Sequence, residues 1–242
     1  MPELTAVVTG AGSGIGAATA VLLAERGYEV FGLDREAAGL AALSGVAGTA
    51  VCDVADEGQL DQALAELLLV DRPVTVAVAA AGVSFNGPLA ETTPERFDEV
   101  HRVNLRGVFL LARALAPRLE AAGGRGSFVA VASELGTVGL PGLTAYSSAK
   151  AGVINMMRVL ALEYAARGVR FNAMAPGGTE TPMLVADVQA SGRTTADVAA
   201  GNPMRRLGRP DEIAEAIVFL ASSAASFITG TTLIADGGYT AR

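Results

Sequence analysis

Leu4-Thr5-Ala6-Val7-Val8-Thr9-Gly10-Ala11-Gly12-Ser13-Gly14-Ile15-Gly16 is the stretch that decides the fold. Leu4 to Val8 is a short apolar run ending in Thr9-Gly10, the pattern of a buried parallel strand. Gly14 to Arg26 is rich in Ala and Leu and stops at Gly27, the pattern of a helix. Between them, glycines let a backbone approach a pyrophosphate closely, and the helix N-terminus offers N–H groups and the positive end of a dipole. Strand, turn and helix together predict a dinucleotide loop at Gly10, Gly12, Ser13, Gly14, Ile15 and Gly16. No Lys follows these glycines, which disfavours a phosphoryl-transfer loop.

The same alternation continues outward. Strand-like runs at Glu29 to Leu33, Thr49 to Cys52, Val74 to Ala79, Gly126 to Ala132, Val169 to Ala173 and Thr232 to Ala235 are separated by helical patterns. Those patterns fall at Ala37 to Leu43, Glu57 to Leu69, Pro94 to Ala122, Ala145 to Arg167 and Asp211 to Ala221. Alternating strands and helices predict an α/β, doubly wound fold with a parallel sheet and helices on both faces. No linker or repeat interrupts it, so residues 1–242 are read as a single domain. The stretch 177–209 is too long for a simple connection and is expected to be a binding loop.

Composition narrows the function. The chain is 51% hydrophobic and 18% charged, which excludes disorder. A net charge of −7 without a basic block argues against nucleic acid as a partner. One Cys and one His, Cys52 and His101, make a metal site improbable and suit a reducing, cytoplasmic setting. No signal peptide is expected at the N-terminus. The longest uncharged run, Ala216 to Ala235, is punctuated by Ser, Thr and Gly, so it reads as helix, turn and strand rather than a membrane span.

Two features point to chemistry. Asp34 ends the second strand 18 residues after Gly16, where a carboxylate accepts the adenosine ribose hydroxyls and repels a 2′-phosphate. Arg35 beside it argues the other way, and the balance favours NAD over NADP. Asp53, after the third strand, suits a helix cap or the adenine amine. Of 18 basic side chains the sole lysine is Lys150, one helical turn after Tyr146 and on the same face. Ser133 ends the fifth strand, so it shares with Asp34 and the glycine turn the sheet edge where ligands bind.

These residues resemble the short-chain dehydrogenase/reductase family, in its short single-domain branch. The resemblance spans nearly the whole chain: the glycine turn, Asp53-Val54, Ala81-Gly82, Asn104, Ser133, Tyr146 to Lys150, Pro176-Gly177 and Asp236-Gly237-Gly238. It implies a Rossmann-type, seven-stranded parallel sheet in the order 3-2-1-4-5-6-7. It also implies NAD-dependent interconversion of a secondary alcohol and a ketone, and a homotetramer. Tyr146 is then the general acid/base, Ser133 hydrogen-bonds the substrate oxygen, and Asn104 holds a water behind Lys150. Lys150 binds the nicotinamide ribose, and Pro176, Gly177, Thr179 and Thr181 meet the carboxamide. An ammonium about 4 Å from the phenol would lower its pKa by about 3 units.

One departure is Ala79-Ala80-Ala81-Gly82, where the family usually has Asn-Asn-Ala-Gly. Side-chain bonds near the adenosine ribose are lost there, while backbone contacts of Ala80, Ala81 and Gly82 remain. Two alternatives stay open: an NADPH-dependent 3-oxoacyl-thioester reductase and a non-catalytic NAD(H)-binding redox sensor.

Overall fold

The computed structural model describes residues 4–67 and 73–241. Seven parallel strands form one sheet: β1 Thr5–Thr9, β2 Glu29–Asp34, β3 Gly48–Val51, β4 Val76–Ala79, β5 Gly126–Val131, β6 Val169–Pro176 and β7 Thr232–Ala235. Their order is β3-β2-β1-β4-β5-β6-β7, as expected. The order reverses between β1 and β4, where such sheets leave a crevice beyond the strand ends.

Side chains alternate across the sheet and build two cores. Val7, Ala77, Phe128 and Phe171 face α3 Glu57–Leu67, α5 Gly107–Glu120 and α6 Thr144–Tyr164, meeting Leu111, Leu115 and Met157. Val8, Val78, Val129 and Met174 face α1 Gly14–Glu25, α2 Ala37–Ala41 and α9 Pro210–Ala221, meeting Leu23 and Ile217. Burial on both faces explains why the strands read as continuous apolar runs. The expected helix end at Leu69 lies outside the described residues.

Two stretches differ from the sequence reading. The region Pro94 to Ala122 is not one regular helix: α4 Pro94–His101 passes through a π-helical turn, Arg102–Arg106, into α5. Such turns occur often at functional sites, and this one contains Asn104. The 177–209 loop holds two helices, α7 Pro182–Ala190 and α8 Thr195–Gly201. Thr181 caps α7 by accepting the Leu184 N–H at 3.2 Å, with Pro182 opening the helix. Thr194 and Asp197 cap α8 reciprocally. Nine and seven residues are too few for a periodic signal, so the caps are the sequence trace of this lid. The uncharged run at 216–235 resolves into part of α9, a turn and β7, and no helix among the described residues is long and apolar enough to cross a membrane.

Candidate active site

A cavity of about 720 Å³ runs along the C-terminal strand ends. Every residue expected at the site lines it except Gly12 and Asn104. The glycine turn is shaped by close approach: a Cβ at Gly16 would lie 2.0 Å from the Gly10 carbonyl oxygen, and one at Gly10 2.6 Å from the Ala81 nitrogen. No side chain caps the N-terminus of α1, which leaves its N–H groups for a ligand. Gly12 acts indirectly, its N–H donating to Asp34 Oδ2 at 2.9 Å.

The other Asp34 oxygen accepts the Glu36 N–H at 3.0 Å, so the carboxylate is fixed at the end of β2. Arg35 turns to Glu36, 3.3 Å away on the surface. Asp53 accepts the Ala55 N–H at 2.9 Å and pairs with Arg102 at 2.7 Å. Partial burial works to raise its pKa, but these two donors outweigh it and hold the carboxyl below its ordinary value. Val54 packs on Gly107, where a Cβ would lie 2.9 Å from Cγ2. Neighbouring Cys52 is buried, and desolvation pushes its thiol up to about 11, so it is an unreactive thiol.

Beyond the crevice stand Ser133, Tyr146 and Lys150. The Ser133 hydroxyl accepts the Leu135 N–H at 3.2 Å, which aims it from the end of β5. Lys150 is buried and donates to the Val131 carbonyl at 2.8 Å. Burial pushes its ammonium down to about 8. The phenol of Tyr146 is pushed up to about 12, chiefly by burial; the Ser133 hydroxyl opposes the shift, and the Asp187 and Glu134 carboxylates add to it. The expected lowering by Lys150 is therefore not met in this structure. Its Nζ lies 5.6 Å from the ring centroid and donates to the Val131 carbonyl, while burial is the largest influence on the phenol.

Asn104 is fully buried, held by the π turn. Its amide nitrogen donates to the Val83 and Val100 carbonyls at 2.7 and 2.9 Å. Its Oδ1 has no partner among the described residues. A Cβ on Gly82 would lie 2.8 Å from that oxygen and 3.6 Å from Lys150 Nζ, so amide and ammonium converge behind Gly82.

Pro176 ends β6, and Gly177 follows it into the 177–209 segment. Thr179 donates to the Gly177 carbonyl at 2.9 Å and bridges to Gly208, tying the feet of the lid together. Thr181 approaches the glycine turn, 3.0 Å from where a Gly14 Cβ would stand. Met183 and Leu184 line the cavity, whereas Val185 and Met204 are exposed. His101 lies outside it, stacked on Phe97 with centroids 4.0 Å apart. Sequence reasoning missed Ser84, Asp187 and Arg193, which also line the cavity and carry no motif spacing.

A glycine turn at an uncapped helix start and the Ser133, Tyr146 and Lys150 side chains thus line one cavity. A family model described as Enoyl-(Acyl carrier protein) reductase matches residues 10–240. Cis-4-hydroxycyclohexanecarboxylate dehydrogenase from Sinomonas cyclohexanicum is 46% identical, over 99% of this chain and 97% of its own. The 2,5-dichloro-2,5-cyclohexadiene-1,4-diol dehydrogenase of Sphingobium indicum is 38% identical, over 98% of this chain and 97% of its own. The crystal structure of levodione reductase superposes with a TM-score of 0.92 at 32% identity, covering 98% of each chain. The chain belongs to the short-chain dehydrogenase/reductase family and is an oxidoreductase acting on CH–OH groups.

Proposed function

We propose that this enzyme is an NAD-dependent dehydrogenase that interconverts a secondary alcohol and a ketone, with Tyr146 as the proton-transfer group. The observation that carries the reading is the convergence of Tyr146, Ser133 and Lys150 on a cavity whose other end is the glycine turn and Asp34.

The residues present fit a dinucleotide. The cradle has no room for side chains at Gly10 and Gly16, and the start of α1 is uncapped. Gly14, Ile15 and Gly16 would hold the pyrophosphate, Asp34 the adenosine ribose hydroxyls and Asp53 the adenine amine. Lys150 would bind the nicotinamide ribose, and Pro176, Gly177, Thr179 and Thr181 the carboxamide. Arg35, paired with Glu36, leaves the ribose end to the fixed Asp34 carboxylate, which favours NAD. The cofactor would supply the hydride chemistry when bound.

The chain's own groups supply the proton chemistry. A phenol pushed up to about 12 keeps its proton at neutrality. In ketone reduction Tyr146 gives that proton to the carbonyl oxygen, while Ser133 hydrogen-bonds the same oxygen as charge develops. In alcohol oxidation the transfer runs in reverse, from the substrate hydroxyl to Tyr146, with Ser133 holding the same oxygen. Asn104 Oδ1, buried without a partner behind Lys150, suits a water that carries the proton onward.

Exposed large apolar side chains support the homotetramer that the family resemblance implies, since symmetric self-association would bury them. Phe109 on α5, Val159 and Leu162 on α6, Phe219 on α9, Phe227, and Ile234 on β7 are exposed apolar side chains available to such contacts. The single, buried thiol suits a reducing cytoplasm.

A 37% identical relative from Thermotoga maritima, a 3-oxoacyl-[acyl-carrier-protein] reductase, favours a second reading, NADPH-dependent reduction of a 3-oxoacyl thioester. Turnover measured on secondary alcohols with NAD and NADP, and on 3-oxoacyl thioesters with NADH and NADPH, separates the two. NAD-linked alcohol oxidation is the expected result; faster NADPH-linked thioester reduction would transfer the assignment to the second reading.

A further inference from the structure

The substrate side of the cavity carries polar groups that proton transfer does not use. Ser84 comes from the loop after β4, Glu134 from the turn after β5 and Asp187 from α7, and all three line the cavity. Glu134 Oε2 is buried without a hydrogen-bond partner among the described residues, and the Ser84 hydroxyl is turned to the Asp187 carboxylate. Gly177 makes room for the Glu134 carboxylate, because a Cβ there would lie 2.8 Å from Oε2. Asp187 lies beside Ser84, and both carboxylates are near enough to Tyr146 to oppose its ionisation. Around them the walls are apolar, from Val83, Leu143, Met183 and Leu184.

A buried polar atom left without a partner costs about 1–3 kcal/mol, so such atoms in a ligand cavity mark where a ligand's own polar groups belong. Two carboxylates ask for a donor and repel an anion. We propose that the alcohol turned over here is a diol, whose second hydroxyl donates to Glu134 or Asp187 and accepts from Ser84 while the first lies at Tyr146 and Ser133. The proposal rests on the dehydrogenase reading above and names its substrate class. Arg193, exposed on the turn between α7 and α8 and lining the cavity rim, is the cation that a carboxylate-bearing alcohol would use instead.

The test compares one ring with different second groups: cyclohexanol, the three positional isomers of cyclohexanediol and 4-hydroxycyclohexanecarboxylate, each with NAD and the full-length enzyme. The expected kcat/KM for at least one diol exceeds that for cyclohexanol and for the carboxylate by about tenfold or more. In Glu134→Gln or Asp187→Asn the ratio of diol to cyclohexanol falls towards unity. A ratio unmoved in both variants overturns the proposal. So does a carboxylate that leads the series and loses its lead in Arg193→Gln. Loss of turnover with every alcohol would fall on the dehydrogenase reading instead. Calorimetric titration of the enzyme–NADH complex with the same compounds then still decides the substrate class. Diols binding no more tightly than cyclohexanol would overturn the proposal.

Discussion

The two ends of the cavity solve different problems. At the adenosine end the carboxylates are already satisfied: Asp34 accepts two backbone N–H groups, and Asp53 accepts one and pairs with Arg102. At the end lined by Tyr146 and Lys150, Asn104 Oδ1 and Glu134 Oε2 are buried without partners among the described residues. Burial pushes the phenol of Tyr146 and the carboxyl of Glu134 up and the ammonium of Lys150 down. One end is a preformed mould for a ligand that the protein only has to hold. The other shifts the pKa values of its groups by burial, the kind of setting in which functional groups gather.

The largest break in that comparison should come from Tyr146→Phe. Turnover falls by about a thousandfold or more, while NADH binds within about threefold of the wild type, because the adenosine end is untouched. Steady-state kinetics and fluorescence titration on one preparation check both halves, and turnover within about tenfold of the wild type would remove the phenol from the mechanism. Next comes Lys150→Arg. The buried ammonium fits one carbonyl at 2.8 Å, and a planar guanidinium has a different shape and reach. Turnover should fall about a hundredfold and the NADH dissociation constant should rise with it; a mild effect would reduce Lys150 to a point charge.

A smaller effect lies in stability against pH. Burial, aided by Asp236, pushes Glu134 up to about 7 from an ordinary carboxyl value of 4.5. Between those values the folded chain binds more protons than the unfolded one. Its stability therefore falls as pH rises from about 4.5 through 7, by roughly 1–3 kcal/mol. Asp187, also pushed up by burial, contributes with the same sign. Thermal unfolding across this range should show the decline, and Glu134→Gln should flatten it. An unchanged slope in that variant would mean the strain lies elsewhere. The smallest effect belongs to the adenosine end. Arg102→Ala removes a partly exposed ion pair with Asp53 and should cost under about 1 kcal/mol of stability, read as a small shift in Tm. A loss of several kcal/mol would show that this end is as finely balanced as the other.

The contrast also explains what the sequence made legible. The glycine turn, Asp34 at the end of β2 and the Tyr146–Lys150 turn rest on local rules: close approach, strand ends and helical spacing. Each lies where those rules put it, and the strand order follows the family. The rest depends on tertiary context. Ser84 and Asp187 meet across the cavity from elements about a hundred residues apart, and no spacing announces them. Asn104 was legible as a residue but not as part of a π turn, because the one-residue shift such a turn puts into a 3.6-residue pattern is too small to read from so few apolar positions. The direction of the Tyr146 shift was misjudged for a similar reason. Sequence puts an ammonium nearby but does not show which way it points or how dry the pocket is.

The most direct test of the account is a parallel fluorescence titration with NADH and NADPH, in the wild type and in Asp34→Ala. A carboxylate fixed by Gly12 and Glu36 should make the wild type bind NADH about tenfold or more tightly than NADPH, and the substitution should erase that preference. Equal or tighter binding of NADPH by the wild type would contradict it, and would give the ribose site to Arg35.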